Sequence, residues 1–424
     1  MAEPTYKPRL ADRILRTCLE NFGAVCIEGP KGCGKTRTAT EVAASSIDLA
    51  DPAGGFHNRT LAQLSPDLVL EGRAPRLVDE WQEHPPILDA VRQRVGAHDE
   101  KGAFILTASA ALNQQDNPLN DSGPIGRLRM RPMSLWESGD SDGTVSLEAL
   151  CKGDLEPVLT GEADLLRLID LIVRGGWPGT LELDASQTQH LLRERIKTII
   201  DDSARLDGIK RDVGKLVRVL RSLARLEART AGPSAILRDV SEAEHVNPAR
   251  PTLTEYLALF DRLFLTDNQP AFSPSVQPPV RLKQAVKRHL SDPSLAAAIL
   301  KMGPNELLHD MRTLGCLFES LCERDLRIYA QAFGGELFHY QDYRNQEIDA
   351  VISLPNGSWA AFEIELGAAQ IDTAAKKLIR IQASLRTDTL NSAPAVLCVL
   401  CGMTNAAYRR PDGVFVVPVT ALRP

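Results

Sequence analysis

Short apolar runs alternate with helical periodicities over the first 155 residues. AVCIEGP (24–30), SSIDLAD (45–51), PRLVDEWQ (75–82) and AFILTASA (103–110) read as strands. Their alternation with helical segments predicts a parallel α/β sheet. Spacing from about 160 to 275 is mostly helical. Beyond 281 helices mix with strand patterns: ELFHYQDY (336–343), EIDAVIS (347–353), WAAFEIEL (359–366), AVLCVLC (395–401) and VFVVPV (414–419). LNQQDNPLNDSGPIG (112–126) and SGDSDGT (138–144) are polar and turn-rich and read as loops, the first of them mobile. QPAFSPSVQPPV (269–280) reads as a Pro-rich linker. The pattern predicts three regions: an α/β sheet domain at 1–155, a helical domain at 156–275 and a second α/β domain at 281–424.

Composition narrows the function classes. The 424 residues are 43% hydrophobic and 25% charged, with net charge −6. Nothing in the bulk charge draws the chain onto nucleic acid, so contact with DNA needs a local patch. The opening MAEPTYKPRLADRILRTCLENF has no continuous apolar core, which argues against a signal peptide. No run approaches the roughly 18 apolar residues of a membrane span. The eight cysteines are scattered. Cys398 and Cys401 have CxxC spacing but lie inside an apolar run, where buried strand thiols are expected. A reducing cytoplasm fits best.

The sharpest chemical signal is VCIEGPKGCGKTRTATEVA. Gly29 to Thr36 fits G-x-x-x-x-G-K-[ST], with an apolar strand before and a helix after. Gly29, Gly32 and Gly34 let backbone N–H groups turn around phosphate. Lys35 would reach the β- and γ-phosphates of ATP, and Thr36 would hold Mg²⁺. The strand RLVDE ends in two acids. Asp79 would bind the Mg²⁺ through water, and Glu80 would polarise the attacking water. Thr107 and Ser109 sit at the tip of the next strand, where Thr107 could sense the γ-phosphate. In GRLRMRPMSLWE (126–137) three arginines alternate. Arg127 is the preferred arginine finger, which in trans would require a homo-oligomer; exposed arginines on a surface strand are the other reading.

In the middle region, Arg211, Lys215, Arg218, Arg225 and Arg229 fall near one face if 205–229 is a helix. That stripe is either a phosphate contact or a solvated face. Residues 235–271 outline helix, turn, helix and a strand LFLTD, a winged-helix arrangement. Its second helix is poor in basic residues, which favours packing over DNA reading.

Taken together, the chain resembles prokaryotic AAA+ family ATPases whose C-terminal part is the domain of unknown function 4143. GPKGCGKT, LVDEWQ, LTAS, GRLRMRPMSLWE, VRGGWPG (173–179), EIDAVIS and AAFEIELG carry the resemblance and span nearly the whole chain. It implies a P-loop NTPase domain of AAA+ type, a winged-helix-like middle and a restriction-endonuclease-like end. The expected function is Mg²⁺-dependent ATP hydrolysis coupled to the C-terminal half. The alternatives are a slow ATP-dependent switch that binds DNA or a protein partner, or an ATP-gated nuclease.

The resemblance also frames AFEIELG (361–367). A restriction-endonuclease-like hairpin carries D…(D/E)xK, with a Glu from an earlier helix, around a metal ion. Asp349 and Glu363 match the carboxylates and Glu319 the helical acid, but Glu365 stands where the pattern has Lys. An odd-length loop at LPNGS would pair Asp349 with Glu363 and put Glu365 on the same face. Four acids without a nearby cation repel one another unless metal is present. An active nuclease, an inactive metal-binding or structural remnant and a binding scaffold are the open readings.

Overall fold

The computed structural model describes residues 6–98, 100–111, 123–204, 208–246, 248–273, 285–344, 346–388 and 393–424. Most of the expected loop at 112–126 and the end of the expected linker at 269–280 lie outside these residues. The chain divides into two compact units. One is Met1–Met133 with Leu259–Leu265, and the other is Ser134–Ala258 with Thr266–Pro424.

The first unit is built on five strands: β1 (Ala24–Glu28), β2 (Ser45–Asp48), β3 (Arg76–Asp79), β4 (Phe104–Ala108) and β5 (Ile125–Arg129). They form a parallel sheet in the order β2-β3-β4-β1-β5. The central strands are apolar on both faces because both faces are covered: every residue of β1, β3 and β4 is buried. Val78, Leu106 and Trp81 pack with Ile87, Leu88 and Val91 of the helix Pro86–His98. The order places β4 between β1 and β3, so the tip of β4 lies between the loop after β1 and the acids ending β3.

The second unit contains β6 (Val145–Ser146), β7 (Val158–Leu159), β8 (Arg229–Thr230), β9 (Lys287–Arg288), β10 (Glu336–Gln341), β11 (Glu347–Ser353), β12 (Trp359–Glu365), β13 (Val396–Cys401), β14 (Ala406–Arg409), β15 (Phe415–Pro418) and β16 (Leu422–Arg423). Seven of them make a mixed sheet, β10-β11-β12-β13-β15-β14-β7. The pairs β8–β9 and β6–β16 stand apart from it. The helix Ile371–Asp388 connects the parallel strands β12 and β13, and Ala375, Leu378 and Ile381 pack onto Val351, Ala361 and Val399. The helix Met311–Ala332 packs against β10 and β12. Helices Leu165–Arg174, Ala185–Ser203, Val213–Arg225 and Pro233–Glu244 make up most of the helical stretch.

Two sequence expectations change here. LFLTD forms no strand; only an isolated bridge joins Thr266 to Leu290. The basic stripe is not one helical face, because the helix covers Val213–Arg225 and leaves Arg211 before it and Arg229 in β8. Arg211 pairs with Glu255 at 2.8 Å, and Arg225 pairs with Asp239 and Glu244, each at 2.7 Å. These arginines are held by acids of the same unit.

Candidate nucleotide site and carboxylate cluster

In the first unit, Gly29 follows β1 directly. A Cβ there would come within 2.1 Å of the Met130 carbonyl oxygen, so the loop needs glycine where it passes the end of β5. Gly32 (φ 87°) and Gly34 (φ 106°) take left-handed conformations that a side chain would disfavour. The helix that follows is one short segment, Lys35–Thr40. Lys35 is buried, and its Nζ donates to the carbonyls of Gly29 at 2.9 Å and Pro30 at 3.1 Å. The Thr36 hydroxyl donates to the Asp79 carboxylate at 2.9 and 3.0 Å.

Thr107 reaches Asp79 from β4, and its hydroxyl accepts from the Glu80 N–H at 3.0 Å. Its side chain is therefore committed to the two acids. Burial pushes the Asp79 carboxyl up, while the hydroxyls of Thr107 and Thr36 pull it down. Glu80 has a left-handed backbone (φ 52°), and its carboxylate accepts from Ser109 Oγ at 2.6 Å and from the Gln82 amide. Arg127 lies on the edge strand β5 and pairs with Glu28 of β1 at 2.9 Å.

Arg9 was not singled out from sequence. It is buried and donates to the carbonyls of Cys33 and Arg131, both at 2.8 Å, tying the glycine loop to the chain leaving β5. No local pattern marks it, because its partners lie far along the chain.

In the second unit, β12 is an interior strand of the sheet, so AFEIELG is not a solvated edge. Leu354 to Ser358 form a five-residue loop. The pairs Ala350–Phe362 to Ser353–Trp359 set the register, which continued by one residue brings Asp349 against Glu363. The Ile364 N–H donates to Asp349 Oδ2 at 2.9 Å. Phe362 and Ile364 are buried behind the acids, and Glu363 itself is only 2% exposed.

The cluster is not short of cations, contrary to the sequence expectation. Lys287 of β9 is buried. Its ammonium contacts Glu319, lies 3.0 Å from Glu323 and 3.8 Å from Asp349, and donates to the Asp349 carbonyl at 3.2 Å. Lys377, on the helix after β12, donates to Glu363 Oε2 at 2.6 Å. Beyond Lys287 the network continues: Glu323 contacts His289 Nε2, and Glu227 lies 3.2 Å from His289 Nδ1. Burial opposes the charge on Lys287, but Glu319, Glu323 and Asp349 outweigh it and hold the ammonium well above its ordinary range. Burial, then Asp349 and Glu323, push Glu319 up to about 8 against the pull of Lys287. Burial also raises Glu363 and Glu365, with Asp349 adding repulsion. His289 is raised to about 9, because Glu323 and Glu227 overcome its burial. Among the described residues, no group of three or more His, Cys, Asp or Glu side chains is arranged to hold a metal ion.

Two distinctive motifs meet nearby. Gly176 N–H donates to Asp292 at 3.0 Å and Trp177 Nε1 to Ser294 at 3.0 Å. Arg324 bridges Asp292 and Asp325, and the Leu135 N–H donates to Asp325 at 2.9 Å. Gly175 (φ 68°) passes so close that a Cβ would lie 2.3 Å from Ser294 Oγ. Thus the end of GRLRMRPMSLWE and VRGGWPG converge on one buried ion pair network, a packing role.

Residues 314–422 match the family model described as Domain of unknown function (DUF4143), as the C-terminal motifs led us to expect. Residues 165–306 match Domain of unknown function (DUF8612), which the sequence reading did not anticipate. Among solved structures, the chain is similar to the Walker-type ATPase PABY2304 of Pyrococcus abyssi, at 14% identity and a TM-score of 0.41, over 68% of this chain and 94% of that one. It is also similar to the replication initiator DnaA bound to AMPPCP and single-stranded DNA, at 14% identity and a TM-score of 0.27, over 60% and 88%. No curated protein matches. Among the described residues, no helix is long and apolar enough to cross a membrane.

Proposed function

We propose that the protein binds ATP with Mg²⁺ in its first unit and hydrolyses it, as an ATPase of the AAA+ class. The observation that carries this reading is the chain of polar contacts from Thr36 through Asp79 and Thr107 to Glu80 and Ser109, under a loop that holds a buried lysine on neutral carbonyls. Backbone N–H groups of Gly32 to Thr36 would take phosphate oxygens, and Lys35 would exchange its carbonyls for the β- and γ-phosphates. Thr36 and Asp79 fit Mg²⁺ by chemistry, a hydroxyl and a carboxylate that already face each other. Bound there, Mg²⁺ would neutralise phosphate charge. Thr107 orients Asp79 and the Glu80 backbone, and Glu80 would polarise water once it leaves Ser109. Arg127 would act on the nucleotide of a second copy after giving up Glu28, which makes the working form a homo-oligomer.

In this reading residues 1–155 are the ATP-binding domain, 156–275 a winged-helix-like domain and 281–424 a restriction-endonuclease-like domain that does not cut DNA. The described cysteines are all free thiols, which suits the cytoplasm. A second reading, a slow switch that answers to DNA or a protein partner, is favoured by one observation: Glu80 is held by both Ser109 and Gln82.

The test is phosphate release and nucleotide binding in two variants. Glu80→Gln should bind ATP normally and turn over roughly 10²- to 10⁴-fold more slowly. Lys35→Ala should weaken ATP binding by roughly two orders of magnitude, the loss of a charged hydrogen bond of about 3 kcal/mol. Unchanged affinity in Lys35→Ala would remove the nucleotide reading, and unchanged turnover in Glu80→Gln would assign the base elsewhere.

A further inference from the structure

The structure assigns to Lys287 the place a divalent cation would take among Glu319, Glu323 and Asp349, so that this cluster is a closed ionic joint and not a metal centre. Three observations carry the assignment. The Lys287 side chain is 1% exposed, and its ammonium already lies between all three carboxylates. Asp349 spends its other oxygen on the Ile364 N–H, and Glu363 spends Oε2 on Lys377. The lysine also enters from outside the helix and the sheet that carry the acids. It sits on β9, paired with β8, within the stretch matched as DUF8612, whereas Glu319, Glu323 and Asp349 belong to the stretch matched as DUF4143.

The set formed by Glu319, Glu323 and Asp349 therefore does not fit a divalent metal ion of the kind a restriction-endonuclease-like hairpin implies. A divalent ion needs carboxylate oxygens free to turn toward it at 2.0–2.6 Å, as a general rule. Here a full positive charge occupies that centre, and a second cation cannot approach it without strong repulsion. Expelling Lys287 would leave a buried ammonium without partners, which is costly. What the lysine does instead is join two segments. His289, one residue beyond Arg288, extends the same joint to Glu323 and Glu227. The inference stands apart from the nucleotide reading, since none of its residues belongs to the ATP site.

The experiment is titration of the nucleotide-free full chain with Mn²⁺, following free ion by electron paramagnetic resonance and the melting temperature in parallel. Comparison with Asp349→Asn isolates this cluster from any ion held by Thr36 and Asp79. Wild type should show no Mn²⁺ binding that Asp349→Asn removes; an Asp349-dependent site in wild type overturns the proposal. Lys287→Met, which keeps the length of the stem, should gain an Mn²⁺ site and an Mn²⁺-dependent rise in melting temperature. Both gains should vanish in Lys287→Met/Asp349→Asn. A folded Lys287→Met that gains no site also overturns the proposal. If Lys287→Met fails to fold, Glu319→Gln and Asp349→Asn are added to it. Recovered folding supports the lysine as counter-ion of those acids, and continued failure counts against it.

Discussion

Two buried lysines divide the chemistry of this chain. Lys35 in the first unit is 4% exposed and rests its ammonium on two neutral carbonyls. Lys287 in the second unit is wholly buried and rests on carboxylates. A carbonyl satisfies the hydrogen bond but leaves the charge, so Lys35 keeps a positive field that an anion can answer. A carboxylate satisfies both, so Lys287 has nothing left to recruit. Burial alone does not mark a functional lysine; the charge of its acceptors does.

The largest way to break this comparison is to remove each charge in turn. Lys287→Met should destabilise the second unit by about 3–5 kcal/mol, because it strands buried carboxylates. Lys35→Met should cost less, about 1–3 kcal/mol, since it leaves only neutral carbonyls unpaired. Chemical denaturation checks both, and equal losses would erase the distinction.

A pH series sharpens it. His289, raised from 6.5 to about 9, contributes stability that is complete below pH 6.5 and lost as pH rises through about 9. Glu319, raised to about 8, acts in the same direction, because its buried carboxyl ionises at a cost over that range. The second unit should therefore lose on the order of 3 kcal/mol between pH 6.5 and 9, with a flatter profile in His289→Gln. Glu323, lowered to about 2, holds its contribution above the ordinary carboxylate range and loses it only as pH falls toward 2. A fall as steep in His289→Gln as in the wild type would contradict the assignment.

The smallest effect is expected at Arg127. Its pair with Glu28 is more than a third exposed on the arginine side, so Arg127→Ala should cost no more than about 1 kcal/mol. As the proposed finger it should still lower ATP turnover, and turnover per mole of the wild type should rise with concentration. A rate independent of concentration in a monomer would exclude action in trans.

The long buried strands of both sheets were legible because apolar runs such as AVCIE and VLCVLC are local signals of burial on both faces, whereas β5, β7 and β14 carry no such run. The glycine loop was legible because its spacing is local too. The hairpin register followed from loop length and side-chain alternation. The partners of the charges were not legible. Lys287 stands 32 residues before Glu319 and 62 before Asp349, Lys377 comes from the helix beyond the strand, and Arg9 meets Cys33 and Arg131 only in the folded chain. The arginines of 205–229 looked like a surface stripe because Asp239, Glu244 and Glu255, which hold Arg211 and Arg225, lie on later helices. Alternation states which face a residue takes, but not what charge will face it.

The five-residue loop from Leu354 to Ser358 imposes a parity rule on the second unit. One residue added there and taken up by the strand shifts β12 by a single step against β11 and exchanges the two faces of the strand. Glu363 would then turn from Lys377 into the apolar layer, and Phe362 would take its place among the acids. Adding two residues can loop out and leave the faces unchanged. Odd insertions that pass into the strand should destabilise the unit, while insertions the turn absorbs should be tolerated. Length parity at one surface turn thus protects an interior charge pair that the turn never touches.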